Sequence, residues 1–181
     1  MSEPLNQETS AEALADVSSL LHDLAIGSRR LAELEGRVDV AALVQQDLLR
    51  VVHGVLGPVV ILGTAGRAAC QLTNPKPLSA STATDEVALR EATLMAVARG
   101  YTVTLVGSRS LRLNDAAGRE HVLYIRVSSG PPSTKWVATL IRRHRSTLRL
   151  HSSTLILVVT RPENYDRQVQ YQRHLQVWAL Q

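Results

Sequence analysis

The 181-residue sequence predicts an α/β (α+β) protein in two parts: three helices closed by a β-hairpin, then a mixed-sheet α/β sandwich. Three observations carry that prediction. Apolar residues recur first at helical spacing and then alternate, and this change of period occurs twice along the chain. Between the two occurrences, residues 73–82 (TNPKPLSAST) hold two prolines and no periodic apolar pattern, which marks a linker. Charge changes sign across it: residues 1–72 carry nine Asp/Glu against five Arg, a net −4, whereas residues 73–181 carry seven acids against fifteen Lys/Arg, a net +8. The expected division is a flexible acidic tail over 1–10, a first module over 11–72, the linker at 73–82 and a second module over 83–181.

In the first module, residues 11–25 place Leu14, Val17, Leu20, Leu21 and Leu24 on one helical face. Gly27-Ser28 breaks that helix, and Ser28 can cap a short second one over 29–35, ended by Gly36. Asp39 can cap a third helix to about residue 49, with Val40, Leu43, Val44, Leu48 and Leu49 apolar. Residues 50–56 and 59–62 then read as two strands around Gly57-Pro58, and 63–67 lead into a helical turn ending near Leu72. Three helices followed by a hairpin is the plan of a winged helix-turn-helix.

In the second module, Thr84 can cap a helix over 85–99 that turns Val87, Leu94, Met95 and Ala98 inward and stops at Gly100. Strands are expected at 101–106, 111–114 and 120–128, the last two joined by Asp115-Ala116-Ala117-Gly118. After Ser129-Gly130-Pro131-Pro132, Ser133 or Thr134 caps a helix to about residue 148. Residues 154–160 form a continuous apolar strand of the buried kind. A polar helix over 163–174 and a strand over 175–180 complete the order.

Two segments carry a resemblance. Leu62-Gly63-Thr64-Ala65-Gly66-Arg67-Ala68 resembles the turn that follows the wing in winged-helix proteins of the replication-relaxation type, a family associated with plasmid and mobile-element replication. Residues 86–103, ending Ala98-Arg99-Gly100-Tyr101-Thr102-Val103, are similar to that family's next helix and strand. The helix-β-β-β-α-β order that follows resembles a restriction-endonuclease-like core, so the likeness spans roughly residues 11–180. A working nuclease of that fold has an acid opening its second strand and Glu/Asp-x-Lys on its third. Here the third strand reads Leu123-Tyr124-Ile125-Arg126-Val127-Ser128, without carboxylate or lysine, and Asp115 sits where Asp favours a turn. The resemblance therefore implies a nuclease-like core that is degenerate at its metal site.

Composition narrows the classes further. The single Cys70 excludes a disulfide framework and a thiolate zinc site, and its apolar neighbours make it a core residue. No apolar run approaches the ~18 residues of a membrane span, and the opening MSEPLNQETSAE is unlike a secretory leader, so the expected location is cytoplasmic and nucleoid-associated. No Walker loop or dinucleotide fingerprint occurs, and no cofactor, metal or catalytic residue is assigned. His22 and Asp23 are adjacent on a helix and point apart. Asp85, Glu86 and Glu91 are expected as first-turn acids that complement the helix dipole. Tyr165, Tyr171 and Trp178 are expected as packing anchors, in a chain with no Phe and only 3% aromatic residues.

The strongest candidate site is the helix over 135–149. Trp136, Val137, Leu140, Ile141 and Leu148 form one face, and Arg142, Arg145 and Arg149 recur at i, i+3 and i+7 on another. Lys135, Arg143 and His144 flank them, and no acid lies within the span. Arg suits phosphate because its planar fork binds bidentately. The expected recognition helix, 38–49, carries Asp39 and Asp47 but no Lys or Arg. Gln45 and Gln46 could read adenine edges there, with Arg29, Arg30, Arg37, Arg50 and His53 supplying cations from the rim. The alternative for that half is dimerisation. The expected function is non-enzymatic binding of double-stranded DNA by a homodimer, in plasmid or chromosome replication, maintenance or transcriptional control. A metal-dependent nuclease and a protein–protein adaptor are the rival readings.

Overall fold

The computed structural model describes residues 5–128, 134–150 and 153–180, with side chains described over most of 16–180. The chain is mixed α/β with two sheets. It forms two compact units, Met1–Val87 and Ala88–Gln181. The division falls inside a helix, α4 (Ala80–Ala98), beyond the proline-rich stretch at 73–82.

The first unit holds α1 (Leu5–Ile26), β1 (Arg29–Arg30), a 3-10 turn (Leu31–Glu33), α2 (Val40–Gln45), β2 (Leu49–Gly54), β3 (Gly57–Leu62) and α3 (Thr64–Ala69). Its antiparallel sheet has the order β1-β3-β2. Arg29 lies opposite Val60, and β2 pairs with β3 from Leu49↔Leu62 to Gly54↔Gly57. Successive residues of β3 point to opposite faces. Val60 and Leu62 join Leu21, Leu24, Leu34, Leu43 and Leu49 in one core, while Val59 and Ile61 meet Ala83 and Val87 in another. Burial on both faces explains why this strand reads as an unbroken apolar run.

Four sequence expectations are corrected here. First, α1 starts at Leu5, inside the expected tail, because no Gly or Pro interrupts its helix formers after Pro4. Second, residues 29–35 are not a helix. Ser28 does not cap; its backbone N–H and hydroxyl donate to Glu86 Oε2 at 3.0 and 2.7 Å, and Arg29–Arg30 run on as a strand beside β3. Third, the next helix is capped by Asp39, whose Oδ1 accepts from the Ala42 N–H at 3.0 Å, but it ends at Gln45. Asp47 takes a left-handed φ of 51°, and the Leu48 N–H bonds back to the Leu43 carbonyl at 3.0 Å, so Leu49 can enter a strand. Fourth, the hairpin turns at Val55-Leu56, and Pro58 lies within β3 opposite His53, past the end of β1 where a missing N–H is tolerated.

The second unit holds the rest of α4, then β4 (Thr102–Val106), β5 (Ser110–Asn114), β6 (Glu120–Arg126), α5 (Thr134–Leu150), β7 (Leu155–Val159), a 3-10 turn (Pro162–Tyr165), α6 (Asp166–Tyr171) and β8 (Leu175–Ala179). The sheet order is β4-β5-β6-β7-β8, antiparallel through β6 and parallel from β6 to β8. Val137, Leu140 and Leu148 of α5 pack with Val122, Leu155, Leu157, Val159, Tyr165 and Leu175. Every residue of β7 is buried, as its continuous apolar sequence requires.

Here α4 departs most from expectation. It begins at Ala80, with the Ser79 hydroxyl accepting from the Thr82 N–H at 3.2 Å, while the Thr84 hydroxyl bonds within the helix to the Ala80 carbonyl at 2.7 Å. Its fully buried residues beyond Val87 are Ala88, Ala92 and Ala96, one per turn; Leu94 is 57% exposed and Ala98 also faces solvent. The expected polar helix over 163–174 is a 3-10 turn followed by the short α6. Among the described residues no helix is long and apolar enough to cross a membrane.

Candidate nucleic-acid interface

The helix α5 segregates its side chains by chemistry. Val137, Leu140 and Leu148 are buried, Trp136 and Ile141 are half-buried, and Lys135, Arg142, Arg143 and Arg145 are exposed. The helix contains no Asp or Glu, so nothing at i±3 or i±4 can neutralise these cations. Among the described residues no carboxylate lies within ion-pair distance of any of the four. Three arginines elsewhere are paired, Arg50 with Asp47 at 3.1 Å, Arg112 with Glu120 at 3.1 Å and Arg119 with Asp115 at 2.7 Å. The side chain of Arg149 lies outside the described residues.

His144 differs from its neighbours. It is half-buried, and its Nε2 lies 3.0 Å from the Tyr124 hydroxyl. Burial lowers its pKa below the usual imidazole value, and the charges of Arg143 and Arg112 lower it further. It is therefore neutral at pH 7 and adds no charge to the face. Arg126, on β6, lays its guanidinium over the Trp136 ring, 4.9 Å from the centroid. Beside the arginines, α5 and the α6–β8 corner enclose a cleft of about 380 Å³, lined by Ile141, Leu148, Leu175, Arg142, Arg145 and His174 among others.

The first unit's candidates are placed differently. Arg29 donates to its own neighbours, the Gly27 carbonyl at 2.9 Å and the Ser28 carbonyl at 3.2 Å. Arg30 sits in β1, half-buried. Arg50 reaches the Thr64 hydroxyl at 3.4 Å and donates its Nε–H to Asp47 Oδ1 at 3.1 Å, and the hydrogen bond to Asp47 is what chiefly lowers the Asp47 pKa. Gln45 and Gln46 are exposed, at the last residue of α2 and the one after it. Arg37 and His53 are exposed as well.

The remaining residues singled out in the sequence have local roles. Glu86 is not a first-turn acid, since α4 starts at Ala80; it accepts from Ser28. Cys70 packs in the first core with its Sγ 3.4 Å from the Leu21 carbonyl. His22 Nδ1 contacts the Ser18 carbonyl at 2.8 Å. Tyr165 and Trp178 are buried; the side chain of Tyr171 lies outside the described residues. Among the described residues no group of three His, Cys, Asp or Glu side chains could hold a metal ion.

Sequence reasoning missed His121. It is only 4% exposed, and its Nδ1 accepts from the Thr154 N–H at 3.1 Å, which leaves the proton on Nε2, 3.3 Å from Asp115 Oδ2. Asp115 also accepts from the backbone N–H groups of Ala117 and Arg119, both at 2.9 Å. The Arg119 N–H is the largest cause that holds its pKa down to about 2. The available signal was the strand's period: His121 shares a face with buried Leu123 and Ile125. His121 thus ties β6 to the residue before β7 through the Thr154 N–H, while its buried Nε2 lies beside the Asp115 carboxylate without forming a hydrogen bond.

No family model, curated protein or solved structure matches this chain.

Proposed function

We propose that the chain is a DNA-binding protein that holds duplex phosphates on the exposed face of α5 through Lys135, Arg142, Arg143 and Arg145. The observation that carries this reading is the gathering of four exposed cations on one helix without Asp or Glu, none of them within ion-pair distance of a carboxylate among the described residues. Unpaired arginines on one rigid helix present a ready row of donors to a polyanion, and releasing its counterions drives the binding.

The finer fold reading supports the same partner. Helix, short strand, turn, helix and hairpin, with the first strand paired to the last, is an arrangement a winged helix would have. Helix, three antiparallel strands, helix and parallel strand suits a nuclease-like core. Binding without cleavage is the proposed outcome. The strand that would carry Glu/Asp-x-Lys opens Glu120-His121-Val122, and Glu120 is engaged by Arg112.

Fluorescence anisotropy on a 20-base-pair duplex, from 50 to 300 mM salt with and without magnesium, tests this reading. Four to six neutralised phosphates give a slope of log K against log salt of about −4 to −5, with the duplex left intact. A flat dependence contradicts the electrostatic mechanism, and magnesium-dependent cleavage contradicts the non-enzymatic one.

A further inference from the structure

The cleft beside α5 combines two chemistries that a duplex-binding surface does not need together. Its lining is aliphatic at Ile141, Leu148 and Leu175, the two leucines deeply set, and carries Arg142, Arg145 and His174, all exposed, with no acid among the described lining residues. At about 380 Å³ it sits at the small end of ligand clefts, which run from about 300 to 1,000 Å³. A paired base in a duplex is stacked on both sides and cannot enter a concavity of that size. An unpaired nucleotide can, and its flat apolar base with an attached phosphate matches an aliphatic lining beside exposed arginines.

We propose that this cleft takes one unpaired DNA nucleotide, the base lying on Ile141, Leu148 and Leu175 and its phosphate between Arg142 and Arg145. The inference rests on the DNA reading of α5 and adds the strand feature that reading selects. An acidic amphipathic helix from a second copy is the other occupant that charge would permit. The chain's own acidic helix is unsuited to it, because α1 already spends Leu21 and Leu24 in the first unit's core with Val17 and Leu20 packed against them.

The test compares two fluorescent probes of equal duplex length at 50 and 100 mM salt: a blunt-ended duplex with no unpaired nucleotide, and the same duplex with a three-nucleotide thymidine overhang. The wild-type chain is expected to bind the overhang probe about tenfold tighter, the effect of removing roughly 50–60 Å² of apolar surface from water. Ala138 also lines the cleft and is exposed, so Ala138→Phe fills the cleft and leaves both arginines in place. This variant, and the milder Ala138→Leu, should lose the overhang preference and keep blunt-duplex binding, with unchanged circular dichroism. Equal wild-type affinity for the two probes, or a preference that survives both substitutions, overturns the cleft proposal while the DNA reading stands. Failure to bind either probe at 50 mM salt overturns the DNA reading and the cleft proposal with it.

Discussion

Replacing Glu86 by Ala should destabilise the first unit by about 2–3 kcal/mol, the net of two hydrogen bonds lost to a buried partner. Ser28 is 1% exposed, and both its N–H and its hydroxyl donate to the same Glu86 oxygen, at 3.0 and 2.7 Å. Removing the acceptor leaves a backbone N–H buried without a partner, which costs about 1–3 kcal/mol, more than the bond itself contributes. The hydroxyl can rotate, so its share is smaller. Ser28→Ala alone removes a donor together with its need, and should cost only about 1 kcal/mol. The double variant should therefore be less damaging than the two single changes added, with a coupling of up to about 1 kcal/mol, the share of the hydroxyl bond. Urea denaturation of the four proteins measures this cycle, and Glu86→Ala should lower the melting temperature by roughly 5–10 °C. A loss below ~0.5 kcal/mol, the scale of an ordinary surface change, would refute the reasoning that this contact ties α4 to the residue before β1.

Three further outcomes follow from the geometry. A Cβ on Gly54 would collide with the Thr84 side chain, so Gly54→Ala should cost about 1–3 kcal/mol in urea denaturation and be partly rescued by Thr84→Ala. Asp115 titrates at about 2 when folded against an ordinary value of 3.8, so its contribution is complete above about pH 4 and lost as pH falls toward 2. Asp115→Asn should flatten the stability–pH curve in that window; an unchanged curve contradicts the assignment. His144 has a lowered pKa, so below its ordinary value of 6.5 the unfolded chain takes up the proton first and stability falls with pH. His144→Gln should reduce the drop in urea midpoint between pH 7.5 and 5.5, and an identical drop would show that His144 does not carry it.

The strands were legible because their signal is local. Leu155–Val159 is an uninterrupted apolar run, and the Asp115–Gly118 turn supplies its own hydrogen bonds, so β5, β6 and β7 were placed to within two residues at each end. The apolar face of α5 was equally plain, since charged and aliphatic residues do not mix along it. Elements set by distant partners were not legible. Arg29–Arg30 has helix-forming residues after it, and only pairing with Val59 and Val60 turns it into a strand. The buried stripe of α4 is alanine, which carries little hydrophobic signal of its own, so Leu94 was the more natural choice and the wrong one. The candidate site was half visible: the cations of α5 lie in one stretch of sequence, whereas the cleft needs Leu175 and His174 brought in from the α6–β8 corner.

The central claim is that exposed cations on α5 carry DNA affinity. Changing Arg142, Arg143 and Arg145 together to Ala tests it most directly, by anisotropy titration of a duplex between 50 and 300 mM salt. Each lost phosphate contact removes about 0.9 from the slope of log K against log salt, so three remove about 2.7, equivalent to roughly 500-fold in affinity at 0.1 M salt. Stability should change by no more than ~0.5 kcal/mol per site, because all three side chains are exposed. The account predicts a folded triple variant with a slope flattened by about three and affinity lost uniformly across duplex sequences. A triple variant that binds as the wild type does, with the same salt slope, would contradict it.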